Sequence, residues 1–568
     1  MQTSHDTDVL VIGAGPVGLS FAMDQVARGA RVTLVELRRY AEPPSVKCNH
    51  VASRTMERFR KLGVAAKLRN AGLPEDYPND VVFRTAMTGQ ELTRIPIPGR
   101  RERYTAKAGP DTHWQTPEPP HRINQIYLEP ILLEHTAALP GVTLLNRTQL
   151  QSYRQDDQGV EAVLLDLDTQ QTRTLRARYL VGCDGGSSSV RKMMGAKLEG
   201  TAVIQQVQST FIRAPGLKAL LPGKPAWCYY SVNPRRCGTV FAIDGQSTWL
   251  VHNHLHPSEP EFETVDRDQA IRNILGVGPD FQYEVISKED WVGRRLVATR
   301  FRDRRVFIAG DAAHLWVPYA GYGMNAGIAD ALNLSWLMGA VLQGWGHEAM
   351  LDAYEAERQP ITQQVSHFAM DHAAKMIRAR SAVPENIEAD DEAGRAARER
   401  MGREAYALNV QQFCCEGLNY GYFYDRSPII AYDQEAPPAY TMGGFTASTV
   451  PGCRAPHFWL TDQRSLYDAL GPGYTLLRLN PRLDVSPLVQ AAAQQGMPLA
   501  VLDIAQPEVP PAYRHALVLV REDQHIAWRG DALPPNAHQW VATLCGVPAV
   551  PLAQGAGAAQ GAEALVSA

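Results

Sequence analysis

The sequence predicts an α/β protein in three parts: a doubly wound unit on buried parallel strands, an antiparallel sheet inserted into it, and a smaller α/β unit at the C-terminal end. Three observations carry this. Short, nearly continuous apolar runs, each ending at a glycine-containing turn, occur at residues 8–12, 179–182 and 305–309, as strands buried on both faces require. Between the second and third runs, residues 200–295 change to short stretches rich in β-branched and aromatic residues separated by turn residues, the pattern of an antiparallel sheet. From about residue 452 a new strand, helix, strand, hairpin, helix order begins. The 568 residues leave room for three to four domains. A 45% apolar, 20% charged composition excludes a disordered chain. The net charge of −4 gives no basic field for nucleic acid or an anionic membrane. Eight cysteines show no CxxC and no metal-ligand spacing, so no metal is expected and a reducing compartment fits. With no apolar stretch of 18 residues and a polar, acidic start, neither a membrane span nor a signal peptide is expected; the expected location is cytoplasmic.

The first unit opens with Asp8-Val-Leu-Val-Ile12, then Gly13-Ala-Gly15-Pro-Val17-Gly18, a helical pattern to Arg28, and a second apolar run ending at Glu36. Strand, GxGxxG, helix, strand and acidic residue within one unit form the full dinucleotide-binding context. Gly13 permits the tight turn, Gly15 lets backbone amides approach a pyrophosphate, and Gly18 lets helix and strand pack closely. The helix N-terminus adds partial positive charge. A carboxylate at Glu36 suits ribose hydroxyls and repels a 2′-phosphate, so this site wants FAD or NAD rather than NADP.

Two later segments choose between them. Tyr179-Leu-Val-Gly-Cys-Asp184 runs into Gly-Gly-Ser-Ser-Ser-Val-Arg191, and Arg305-Val-Phe-Ile-Ala-Gly310-Asp311-Ala-Ala-His314 is followed by Pro318-Tyr-Ala-Gly-Tyr322-Gly323-Met324-Asn325 and a long apolar helix. Each carboxylate stands at the C-terminal end of a buried strand, where open α/β sheets bind ligands. Together, GAGPVG, CDGGSSSVR and GDAAH with GYGMNAG resemble the flavoprotein aromatic hydroxylases of the para-hydroxybenzoate and phenol hydroxylase family, over roughly residues 5–380. The resemblance implies bound FAD, with Asp311 at the ribityl chain, the Gly323-Met324-Asn325 backbone at the pyrimidine side, and Asp184 by the pyrophosphate. It likewise places Arg54 near flavin and pyrophosphate, and Gln125 near the ribityl chain. Where the family usually has GGQGMN this chain has AGYGMN, so Tyr322 replaces an amide beside the ring. His314 is read as a packed core histidine.

The runs 203–212, 227–232, 238–243 and 248–253 read as the antiparallel sheet. In the resembling family such a sheet roofs the flavin, with substrate between sheet and ring. Trp227, Tyr229, Tyr230 and Phe241 are the candidate wall of an apolar pocket, with Pro318 and Tyr322 from the flavin loop. Alternation turns Tyr229 and Tyr230 to opposite faces, so at most one lines it. The resemblance implies NADH or NADPH as electron donor, O2 as oxidant, and hydroxylation of a phenolic ring through a flavin C4a-hydroperoxide, as in phenol degradation. A phenol with pKa near 10 is only ~0.1% ionised at pH 7, a deficit of ~4 kcal/mol for electrophilic attack. A base beside the substrate oxygen is therefore expected. Relatives carry an acid five residues before the arginine; here that position is Asn49, which cannot take a proton, and its neighbour His50 can. His50 is thus the candidate base or relay, and Asn49 its companion. Two other readings stay open: epoxidation or Baeyer–Villiger oxidation of a polycyclic substrate, and a non-catalytic flavin-binding assembly protein.

The chain is accordingly divided into FAD-binding parts at 1–80, 106–199 and 298–380, substrate-domain parts at 81–105 and 200–297, and a helical or irregular connection at 381–448. The mixed charges of 385–404 read as a solvated helical face. Residues 449–552 resemble the thioredoxin-like domain of phenol hydroxylase-type members but lack CxxC, so structural cover or dimer contact is expected of them rather than redox chemistry. Residues 553–568 read as a flexible tail. The expected partner is a small phenolic substrate, with a homodimer as one option for assembly.

Overall fold

The computed structural model of the protein describes residues 5–259, 261–317, 319–504 and 509–548; the 553–568 tail and Pro318 lie outside them. In the first strand, Thr7–Ile12, Val9, Leu10 and Val11 are all fully buried. Their lack of polar alternation is the reason this strand lies at the centre of a sheet. It pairs in parallel with Val32–Val35 on one side and Thr172–Gly182 on the other. Val142–Leu145 and Val306–Ile308 extend the parallel core at its two ends. The hairpin of Thr148–Gln155 and Val160–Asp166 joins Thr172–Gly182 antiparallel. Helix Pro16–Ala27 packs against the long helix Gly323–Leu342, where Gln25 Nε2 donates to the Ser335 carbonyl at 2.8 Å.

The second sheet is almost wholly antiparallel. Its order runs His314–Leu315, Trp291–Ala298, Leu198–Arg213, Thr248–His254, Gly238–Ala242, Cys228–Ser231, Val81–Arg84, Glu91–Ile95, and Glu284–Lys288 also pairs with Leu198–Arg213. Val81–Arg84 is the exception, lying parallel to Cys228–Ser231. This pairing brings a segment from early in the chain into the substrate-side sheet. Helix Asp352–Ser381 continues through Pro360, and helix Glu392–Phe413 follows. The latter carries the charged run, and its opposite face is buried. Ala397, Arg398, Gly402 and Phe413 are buried, and a Cβ at Gly402 would lie 2.3 Å from the Leu92 carbonyl oxygen. One face of this helix is docked on the edge strand Glu91–Ile95; its charges occupy the other.

The C-terminal unit has a four-stranded sheet in the order Leu499–Asp503, Tyr474–Arg478, Leu517–Arg521, Ile526–Gly530, with helices Ser486–Gln495 and Ala537–Leu544. The first two strands are parallel and the rest antiparallel. Its apolar side merges with the core of the first unit: the Tyr474 ring packs edge-on to Trp336 with centroids 5.7 Å apart. Among the described residues all eight cysteines are free thiols, and no helix is long and apolar enough to cross a membrane.

Candidate active site

The glycine turn is shaped by contacts that only glycine allows. Gly13 has φ +102°, and a Cβ there would lie 2.4 Å from the Cys183 carbonyl oxygen. A Cβ on Gly18 would lie 2.0 Å from the Gly13 oxygen, whereas one on Gly15 would meet nothing within 4 Å. Gly15 is therefore open on its ligand side, and helix Pro16–Ala27 begins there with no side chain capping its first amides. The Val17 side chain packs beneath Gly310 and Gly327, leaving only its backbone toward the turn. Glu36 ends the second strand, accepting from Ala14 N at 2.8 Å and from Arg38 N and Nε at 3.0 Å. Burial opposes its ionisation, but the hydrogen bonds and charge of Arg38 prevail and hold the carboxyl below its usual range.

The second carboxylate loop rests on a buried ionic base. Gly310 N donates to Asp330 Oδ2 at 3.3 Å, His314 Nε2 lies 2.6 Å from the same oxygen, and Arg358 Nε donates to Asp330 Oδ1 at 2.8 Å. His314 is thus a buried structural histidine. Asp311 is exposed at its surface, yet the protein packed around it raises its pKa against the opposing influence of His314 and Lys47. The Asn325 side chain is fully used: Oδ1 accepts from Ala52 N at 2.8 Å, and Nδ2 donates to the His50 and Gly321 carbonyls at 3.1 and 2.8 Å. Gly323 is open, with nothing within 4 Å of a Cβ, and Met324 is partly buried. The exposed backbone at the start of this helix fits the edge of a ring system.

Three other expected cofactor residues have their side chains engaged by protein partners. Asp184 lies beside Gly13, but its carboxylate accepts from Ser189 N and Oγ at 2.7 and 2.9 Å and from Val190 N at 3.2 Å, so it caps the helix that follows. Gln125 donates its side chain to Glu129 at 2.8 Å and its backbone to the Cys48 carbonyl. Arg54 faces the C-terminal unit: its guanidinium lies 4.5 Å from the Tyr422 centroid, 3.1 Å from His525 Nε2 and 3.4 Å from the Asp523 carbonyl. The reason is helical spacing. Arg54, Arg58 and Lys61 share one face, and all three meet the 522–525 turn.

On the substrate side, register sorts the aromatics. Tyr230 pairs with Thr239 and Cys228 with Phe241, so Tyr230, Phe241, His252 and His254 share one face. Tyr229 lies on the other face, fully buried against Trp249, its hydroxyl accepting from Ala226 N at 2.7 Å; it is sheet core and not pocket wall. The first face confronts the flavin loop, where Tyr319 Oη donates to Gln205 Oε1 at 2.9 Å and Gln205 reaches His254. Phe241 packs between Trp227 and His252, which in turn meets Trp291. Alongside His254 a cavity of about 620 Å³ runs past Gln205 to Arg380. Tyr322, expected on the pocket wall, instead packs with Ala52, Ala326 and Tyr422, and is 4% exposed.

His50 is overturned as a base. It is buried, its Nδ1 lies 2.6 Å from Arg122 Nη1, and burial together with the charges of Arg122 and Arg103 lowers its pKa well below the ordinary 6.5. A ring that accepts from a guanidinium at Nδ1 carries its proton at Nε2 and is a neutral donor. Asn49 is occupied as well: its Oδ1 accepts from Asn124 Nδ2 at 2.5 Å and its Nδ2 donates to the Lys47 carbonyl at 3.3 Å. The residue not singled out by the sequence reading is Arg122, which joins the two sides of the site. Its charge sits 4.7 Å from the Trp227 centroid while its hydrogen bond holds His50, whose Cβ backs onto Gly321.

Fold and cradle define a dinucleotide-binding protein with an aromatic sheet laid over its second carboxylate loop. Residues 6–369 match the FAD binding domain family, and residues 448–548 match the C-terminal domain of aromatic-ring hydroxylases. The chain belongs to this family of FAD-dependent monooxygenases and hydroxylases, and is an oxidoreductase. It is 31% identical to aklavinone 12-hydroxylase RdmE of Streptomyces purpurascens, across 96% of this chain and 99% of that one. Phenol 2-monooxygenase of Pseudomonas sp. (strain EST1001) is 29% identical, across 96% and 94%. The structure of the rebeccamycin biosynthetic enzyme RebC with reduced flavin superposes with a TM-score of 0.85 at 33% identity, covering 95% of this chain and 99% of that one.

Proposed function

We propose that the protein is an FAD-dependent monooxygenase that hydroxylates a phenolic aromatic ring, with NADH or NADPH as reductant and O2 as oxidant. The observation that carries this reading is the contact path from Gly321 through His50 and Arg122 to Trp227 and Phe241, which sets an aromatic wall against the flavin loop. The open Gly15 turn, Glu36, Asp311 and the Gly323 backbone would hold FAD along its length. When bound, FAD would take two electrons from the nicotinamide and transfer one oxygen atom of O2 to the ring, the other leaving as water. The chain's own tasks are to position and to exclude water. Phe241 and Trp227 present apolar surface to a planar ring, Tyr319 and Gln205 tie sheet to loop, and the Asn325 side chain holds the 50–52 segment under the helix start.

A second reading, oxygenation of a fused-ring substrate, is favoured by the cavity of about 620 Å³ beside His254, within the usual range for ligand sites of roughly 300–1,000 Å³. The C-terminal unit is read as a thioredoxin-like module without redox function: it carries no CxxC, and Cys453 and Cys545 are buried, with thiols pushed up to about 12 by that burial. The test is aerobic NADH and NADPH oxidation by FAD-loaded protein against simple phenols and fused-ring phenols, with peroxide and product mass followed. We expect one class to stimulate oxidation with little peroxide and a product heavier by one oxygen atom. No stimulation by either class would overturn the reading.

A further inference from the structure

Arg122 holds a buried positive charge that makes no ion pair among the described residues. It is 6% exposed, and its hydrogen bonds go to neutral acceptors, His50 Nδ1 at 2.6 Å and the Phe413 carbonyl at 3.3 Å. The one carboxylate facing it, Asp111, is already bound by Arg103 at 2.6 Å and by the Trp114 indole at 2.8 Å. The other groups facing it are the Arg103 guanidinium, a like charge, and Cys48, Cys228, Cys414 and Cys415, buried or half-buried thiols that stay neutral because burial pushes their ionisation up.

Buried Arg191 and Arg398 likewise donate only to backbone carbonyls, but the three most deeply buried arginines are paired. Arg358, Arg454 and Arg521 each contact a carboxylate, Asp330 at 2.8 Å, Glu57 at 2.6 Å and Glu357 at 2.5 Å. An isolated buried cation costs several kcal/mol unless an anion meets it. Arg122 is flanked by the rings of Trp227 and Phe413 on one side and, on the other, by His50, which backs onto Gly321 of the flavin loop.

We propose that Arg122 is the oxyanion-holding residue of this site: its guanidinium binds the ionised phenolic oxygen of the substrate, so that the ring is held as phenolate without a protein base. The phenolic proton passes to water as the substrate binds, and no bond other than O–H breaks. This takes over the task that the sequence assigns to His50. His50 becomes a positioning residue, its Nδ1 lone pair fixing the guanidinium. The inference rests on the phenolic reading above, and its test is kept separate from turnover.

The probe is 4-nitrophenol, whose phenolate band is recorded against pH in FAD-loaded wild type, R122K and R122M, with flavin content and circular dichroism confirming the fold. Bound to wild type, the probe should show a phenolate-to-phenol ratio at least about tenfold that of free probe at the same pH, a shift of about one pKa unit. R122K should keep part of that shift and R122M should lose it. A bound probe no more ionised than free probe, or the same shift in R122M as in wild type, would overturn the proposal. Failure of phenols to stimulate NADH oxidation while the shift is present would overturn the hydroxylase reading and leave the anion site standing.

Discussion

A Cβ added at Gly18 would sit 2.0 Å from the Gly13 carbonyl oxygen, and one added at Gly15 would meet nothing. Both belong to the same six-residue motif, yet their substitution should read out differently. Gly15→Val should leave the apo protein folded, with Tm nearly unchanged, and lower the fraction of flavin-loaded protein at least about tenfold, since the pyrophosphate needs that space. Gly18→Val should lose flavin and fold together. Flavin absorbance against protein concentration, with a thermal melt of each variant, separates the two cases; a Gly15→Val protein that keeps its flavin would contradict the account. At this scale the sequence was legible wherever the role is a backbone role. It was not legible for His50, because whether an imidazole is a base depends on what it faces. Arg122 lies 72 residues away in the chain, and no spacing rule connects the pair.

The strand Cys228–Ser231 shows the same division at the scale of an element. Alternation states that Tyr229 and Tyr230 point apart, but both faces of this strand carry aromatics, so the strand alone does not say which faces the flavin. Pairing decides it: Tyr230 opposite Thr239 and His252 lies on the face that reaches Gln205 and Tyr319. Tyr229→Ala should destabilise the protein by about 3–5 kcal/mol through the cavity it leaves, while KM for an aromatic substrate stays near wild type in the folded fraction. Phe241→Ala, at a half-buried position, should cost less stability and raise KM severalfold. Urea unfolding and steady-state kinetics on the two variants test this; a larger KM change for Tyr229→Ala would reverse the assignment of faces. The 385–404 charge run is the matching case in a helix. Its composition reads as a solvated face, and its small residues are what let the other face dock on a strand edge.

Across the whole molecule, the C-terminal unit is joined to the flavin unit by buried ion pairs as well as by apolar packing. Arg28 meets Glu522 at 2.7 Å, Arg454 meets Glu57 at 2.6 Å, and Arg521 meets Glu357 at 2.5 Å. Several buried histidines sit near these and other positive charges. Burial and neighbouring arginines lower the pKa of His121 to about 3 and of His457 to about 3, and those of His50, His254 and His525 well below 6.5. Their folded-state pKa values lie below the unfolded value, so the unfolded chain binds the extra protons. The stability is fully present above about pH 6.5 and falls as pH drops below it, by up to about 1.4 kcal/mol per pH unit for each histidine. Urea unfolding at pH 7.5 and pH 5.5 should therefore show a loss of several kcal/mol. It is offset in part by Glu416, whose carboxyl pKa is raised by burial to about 7, so that the folded state takes up its proton in the same window. Equal stability at the two pH values would refute it.

What the sequence by itself determined is the set of features written locally: the glycine turn with its strand, helix and acidic end, the second carboxylate loop, the antiparallel sheet, and the element order of the C-terminal unit. Each follows from backbone sterics or from periodicity over a few residues, which neighbours in the chain are enough to specify. The tertiary structure alone decided which carboxylates cap helices, which tyrosine faces the flavin loop, that Arg54 serves the C-terminal junction, and that His50 is neutral beside Arg122. Those properties depend on burial and on charges from distant parts of the chain, and electrostatics in a desolvated site is set by what folding brings within a few ångströms.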